Sequence, residues 1–97
     1  MTKPLYIFAE ITPKPVHFNE ARDAISGIID RTRAEEGCHK FELFTAPDEN
    51  KLYLFEKWEN KAALDQHYAM PYTSAVFDAY QEWLAEEPRI ASMHHVA

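Results

Sequence analysis

Five residues, Glu56, Trp58, His67, Tyr68 and Tyr72, have the types and spacing to do chemistry. Glu56 and Trp58 stand two apart in Leu52-Tyr53-Leu54-Phe55-Glu56-Lys57-Trp58-Glu59, which reads as a strand, so they share a face with Leu52 and Leu54. If that face is covered, desolvation raises the affinity of Glu56 for a proton and makes it a general base. At the sheet margin the same carboxylate would sit in a hydrogen bond or an ion pair with an arginine. Trp58 is either a stacking surface for an aromatic ligand or simply core. His67 is the strongest proton-transfer candidate, since imidazoles exchange protons near neutral pH; the alternative is a helix histidine hydrogen-bonded for packing. Tyr68 and Tyr72 flank it and could hydrogen-bond a phenolate or hydroxyl.

Other reactive residues are poorly arranged. His94 and His95 are consecutive, hence on opposite faces of a final strand, and cannot readily hold one metal together. His17 and His39 read as exposed. No HxxxH, CxxC or His/carboxylate cluster at metal spacing occurs, so the expectation is no metal. Cys38 has no neighbouring base and reads as small apolar filler. With two glycines in total and no GxSxG, a P-loop or dinucleotide fingerprint is excluded.

The elements that must position these residues follow from periodicity. Leu5 to Ile11 is rich in β-branched and aromatic residues and reads as a strand ending at Thr12-Pro13. Pro15 suits a first helical turn. Phe18, Ala21, Ile25, Ile28, Ile29 and Thr32 then recur at helical spacing, and Gly37 can end that helix. Gly27 inside it costs about 1 kcal/mol relative to alanine, and close approach to a sheet would explain it. Cys38 to Thr45 and Leu52 to Glu59 form a hairpin around Pro47-Asp48-Glu49-Asn50. Asn60 is a helix N-cap. Pro71 interrupts the helix that follows or starts a new one, and Arg89 to Val96 is a short last strand. The order is strand, helix, strand, strand, helix pair, strand: an α+β, ferredoxin-like βαββαβ domain over residues 1–97 with a four-stranded antiparallel sheet.

Alternation along the strands is incomplete. Leu5, Ile7, Ala9 and Ile11 point one way, but Tyr6 and Phe8 point the other; Tyr53 and Phe55 oppose Leu52, Leu54 and Trp58; Phe41 and Leu43 oppose Cys38 and Phe44. Both faces want burial, and the helices suffice for one. Half a dozen large apolar side chains left wet would forgo roughly 10 kcal/mol of gross transfer free energy. A two-fold homodimer packed sheet to sheet removes that cost.

Ninety-seven residues make one domain, 46% hydrophobic and 27% charged, which excludes a disordered chain. Ten basic residues are scattered through a chain of formal charge −6, arguing against a nucleic-acid partner. No apolar run approaches the roughly 18 residues of a membrane span, and Met1-Thr2-Lys3-Pro4 has no signal-peptide character. A lone cysteine fits the reducing cytoplasm.

Three stretches carry a family resemblance. They are Tyr6-Ile7-Phe8-Ala9-Glu10-Ile11-Thr12, Thr32-Arg33-Ala34-Glu35-Glu36-Gly37-Cys38, and Leu54-Phe55-Glu56-Lys57-Trp58-Glu59-Asn60-Lys61-Ala62-Ala63-Leu64 followed by His67 and Met70-Pro71-Tyr72. Together they resemble the antibiotic biosynthesis monooxygenase domain. The resemblance implies a dimeric α+β barrel and, in several members, cofactor-free oxidation of phenols, quinols or anthrone-like polyketides. It also reaches haem-degrading enzymes, which place an asparagine in the first strand where this chain has none, and an isomerase of phosphorylated sugars. The expectation is therefore a cofactor-independent monooxygenase acting on a small aromatic ligand. His67 or Glu56 would be the base, with Trp58, Tyr68 and Tyr72 holding the ring. An isomerase or tautomerase using the same acid and base, or a non-catalytic ligand-binding domain, are the alternatives.

Overall fold

The computed structural model describes residues 3–97. Met1 and Thr2, where the N-terminal reading above begins, lie outside them. The chain runs β1 (Leu5–Ile11), α1 (Phe18–Ser26), α2 (Ile29–Arg33), β2 (Cys38–Ala46), β3 (Lys51–Trp58), α3 (Lys61–Ala69), α4 (Pro71–Trp83) and β4 (Arg89–Met93). The sheet order is β2-β3-β1-β4, antiparallel throughout. This is the expected ferredoxin-like α+β arrangement, with β1 and β3 at the centre.

Alternation on the central strands decides which side chains face the helices. Leu5, Ile7, Ala9 and Ile11 of β1 and Leu52, Leu54, Glu56 and Trp58 of β3 are buried, while their neighbours in sequence are not. Ile7 and Phe41 lie opposite Glu56 in the two adjacent strands, so that carboxylate enters the core between apolar side chains. The helical layer closes over this face. The Tyr80 hydroxyl on α4 donates to the carbonyl of Ala21 on α1 at 2.6 Å, and Arg33 Nε at the end of α2 donates to the carbonyl of Phe41 at 3.1 Å. After α4 the chain returns to the end of β1, where the backbone N–H of Ala85 donates to Thr12 at 2.8 Å and that of Lys14 to Trp83 at 2.8 Å.

Local chemistry explains the boundaries. The Asn60 side chain accepts from the N–H of Ala63 at 2.9 Å and starts α3. Pro71 starts a separate helix rather than kinking one, because Met70 before it is extended, as residues preceding proline prefer. Asn50 takes the left-handed conformation (φ 53°) that ends the β2–β3 turn, and its amide donates to the carbonyl of Pro13 at 2.9 Å.

Several details differ from the sequence expectation. The first long helix is two short ones, broken at Gly27–Ile28, where a backbone N–H to Ile25 replaces the regular ladder. Gly27 does not approach the sheet: a β-carbon there would meet only Asp23 and Ala24 carbonyls of its own helix, so the glycine marks the break. Cys38 shares the core face with Phe41 instead of opposing it. A register shift between Cys38 and Lys40 puts an extra residue in β2, and Cys38 pairs with Trp58. Lastly, β4 ends at Met93, short of His94 and His95.

Gly37 does not cap a helix directly, since α2 ends four residues earlier. It adopts φ +87°, and a β-carbon on it would lie 2.6 Å from Cβ of Ala63. Only glycine lets the chain turn into β2 beneath α3 at this point.

Candidate active site

Between the sheet and the helices lies a narrow apolar cleft. It holds about 520 Å³ of empty space including its open mouth, yet only about 50 Å³ is open to the centre of a water molecule. Aliphatic and aromatic side chains such as Ile7, Ile25, Leu54 and Phe41 make most of its wall. Glu56, His67, Tyr68 and Thr73 supply the polar groups beside Tyr80, and no lysine or arginine lines it. Phe77 and Ile90, 40% and 48% exposed, stand where the cleft meets solvent.

Glu56 reaches the cleft because β3 alternates, and it is buried there. Trp58, two residues on along the same face, donates its indole N–H to Glu56 Oε1 at 2.8 Å. Burial is the dominant influence on this carboxyl and pushes its pKa up to about 7; the Trp58 hydrogen bond pulls the other way, and the Glu35 charge adds to the rise. Burial likewise pushes the Tyr68 hydroxyl up to about 12, with Glu56 contributing. Near neutral pH the site therefore holds a carboxyl poised to exchange a proton beside a phenol that keeps its own.

His67 sits on the buried face of α3 with Ala63 and Leu64. Its ring lies against Trp58 (centroids 4.8 Å apart) and edge-on to Phe41 (5.6 Å). Nδ1 lies 2.9 Å from Glu35 Oε2 and 3.4 Å from the Thr73 hydroxyl. An ionised carboxylate can only accept, so the proton of a neutral ring belongs on Nδ1 and Nε2 is left with its lone pair. The Tyr72 hydroxyl donates to the same Glu35 oxygen, and the Arg31 guanidinium lies over the Tyr72 ring, 4.6 Å from its centroid.

The structure thus brings three of the five candidate residues, Glu56, His67 and Tyr68, to one cleft. Trp58 does not line it. With no exposed surface, the indole is a buried prop between Glu56 and His67, and it offers no face to a ligand. Tyr72 does not line the cleft either; it holds Glu35 from the far side. Glu56 is bonded to an indole, not to an arginine at the sheet margin. Glu35 and Thr73 were not among the candidates. Glu35 follows α2, 32 positions before His67, and only the fold joins them. Cys38 packs partly buried against the core, where burial raises its thiol pKa to about 11 and keeps it protonated at neutral pH. Among the described residues no three His, Cys, Asp or Glu side chains converge as a metal site. None of the described helices is long and apolar enough to cross a membrane.

Fold and cleft together define a class. The antibiotic biosynthesis monooxygenase family matches residues 4–83 of the chain. The chain belongs to that family. It is 35% identical over 72 residues to Rv0793 of Mycobacterium tuberculosis, a protein named as a candidate monooxygenase; the match covers 74% of this chain and 71% of that protein. The solved structure of Rv0793 superposes with a TM-score of 0.91 at 26% identity, covering 97% of this chain and 96% of that one. The crystal structure of PA3566 from Pseudomonas aeruginosa also gives 0.91 at 26% identity, covering 100% and 98%.

Proposed function

We propose that this protein is a cofactor-independent monooxygenase that oxidises a small phenol, quinol or anthrone-like aromatic with O₂. The observation that carries the reading is the pairing of Glu56, a buried carboxyl with a pKa pushed up to about 7, with His67 in one cleft walled by apolar side chains. A base drawn from this pair removes the acidic proton of the substrate, leaving an electron-rich anion. That anion gives one electron to O₂, the resulting radicals combine to form a carbon–oxygen bond, and the peroxide anion takes the proton back from the base to become a hydroperoxide. Loss of water from the hydroperoxide, through cleavage of its O–O bond and the remaining C–H bond, leaves a carbonyl. One oxygen atom enters the product and the other departs as water; the electrons come from the C–H bond of the carbon that is oxidised and from the bond deprotonated first, an O–H in a phenol or quinol and a second C–H in an anthrone. The anion reduces O₂ itself, so the scheme asks for no cofactor. Apolar walls favour a flat, uncharged ring and keep water from the intermediates.

Oxygen uptake with a panel of quinols and anthrones tests this. Uptake above autoxidation, lost in His67→Ala or Glu56→Gln, supports it; none across the panel contradicts it. The same two ionisable groups suit an isomerase or tautomerase, and turnover without oxygen would favour that reading. A domain that only binds its ligand would lose affinity modestly in His67→Ala and show no turnover in any form.

We also propose that two chains associate through the outer sheet face as a dimeric α+β barrel. Supporting this, Tyr6, Phe8, Tyr53 and Phe55 stack in pairs there, with centroids 6.1 Å (Tyr6–Phe55) and 5.7 Å (Phe8–Tyr53) apart, and Phe44 is 52% exposed. The working location is the cytoplasm, in keeping with the unpaired Cys38.

A further inference from the structure

We propose that Glu35 is the positioning residue for His67, fixing the imidazole as the Nδ1–H tautomer so that Nε2 is the nitrogen that takes the substrate proton. Glu35 and His67 side chains are 6% and 4% exposed, and their contact is 2.9 Å. A carboxylate so deeply set needs donors, and it has two in one arrangement: His67 Nδ1 and the Tyr72 hydroxyl, both on Oε2. The donors come from α3 and α4, and the carboxylate from the segment after α2. The carboxylate therefore ties α4 and the segment after α2 to the ring that lines the cleft. Trp58 and Phe41 pack on that ring from the sheet side, so it has little freedom to turn.

The chemistry follows from this geometry. When Nε2 gains a proton, the ring becomes an imidazolium whose Nδ1–H already points at a negative charge. The charge is stabilised where it forms, with no reorganisation of the site. Glu35 need not take the proton itself. Tyr72 keeps the carboxylate aimed: desolvation and its bond to Glu35 push its hydroxyl pKa up to about 12, so it stays a donor across the neutral range.

The direct test is the tautomer of His67 by long-range proton–nitrogen correlation on labelled, ligand-free protein. It is run above about pH 8, where a free imidazole is neutral. The wild type should show Nδ1 protonated and Nε2 bare. Glu35→Leu, which has no acceptor, should release the ring to a mixture of both tautomers. On a quinol that the wild type oxidises, it should lower kcat about tenfold to a hundredfold, with KM within about twofold. Glu35→Gln, which keeps an acceptor oxygen, should recover part of both effects. A wild-type ring protonated on Nε2, or an unchanged tautomer in Glu35→Leu, overturns the proposal. Should Glu35→Leu fail to fold, the wild-type spectrum decides alone. The kinetic arm rests on the monooxygenase reading and the spectroscopic arm does not, so failure of one is separable from failure of the other.

Discussion

Trp58 donates its indole N–H to Glu56 Oε1 across 2.8 Å of core from which both residues exclude water. The bond joins positions i and i+2 of one strand, and it gives a carboxyl with no other hydrogen-bond partner among the described residues a single fixed donor. Burial costs the carboxylate more than this one bond returns, which is why the Glu56 proton is held up to about pH 7.

Glu56→Gln should stabilise the fold in a pH-dependent way. The folded-state pKa of about 7 lies above the ordinary 4.5, so the folded protein binds the proton more tightly than the unfolded chain. Stability of the wild type therefore falls as pH rises from about 4.5 to about 7 and is flat beyond. Glutamine has no such dependence. Urea unfolding should show the advantage of the variant growing across that window, to at most about 3 kcal/mol, while oxygen uptake is lost. An advantage independent of pH would contradict the shift.

Trp58→Phe removes the donor and leaves a small void. Loss of the hydrogen bond that lowers the Glu56 pKa should move its titration above 7. Stability should drop by about 2 kcal/mol from the lost bond and imperfect packing. A downward movement of the titration would show that the indole is not the donor.

Gly37→Ala should cost about 2 kcal/mol or more, because the backbone is left-handed there and the new methyl would press on Ala63 Cβ at 2.6 Å. Adding Ala63→Gly should restore the contact part of that loss and none of the backbone part. Thermal melts of the two single variants and the double variant would check this. Simple additivity would count against the contact.

Phe8→Lys with Phe55→Glu should convert a two-chain species into a folded single chain by light scattering. These side chains point away from the core cluster, so the far-ultraviolet spectrum should hold. A wild-type mass of one chain at micromolar concentration would contradict the sheet-to-sheet dimer.

The strands, their order along the chain and the shared face of Glu56 and Trp58 were legible in the sequence because a period of two holds along a strand that pairs without a bulge, as β1 and β3 do with each other. The helix break at Gly27 was not: Ile25, Ile28 and Ile29 keep helical spacing straight through it. The face of Cys38 was hidden by one inserted residue in β2, which reverses every parity upstream of it. In the site, His67 and Tyr68 were readable from their helix. Which aromatics reach the cleft was not, because Trp58 and Tyr72 differ from Tyr68 only in the depth and direction that packing imposes. Glu35 stands in the sequence only as one of two consecutive acids before Gly37. Its role depends on a contact 32 residues away, and no local pattern encodes that.

The proton affinity of Glu56 bears most directly on the function proposed. Carbon-detected titration of the side-chain carboxyls in labelled, ligand-free protein would read it. A Glu56 midpoint near 7 is expected. A midpoint at or below the ordinary 4.5 would mean that water reaches the carboxylate, and the case for a base in a dry cleft would fail with it.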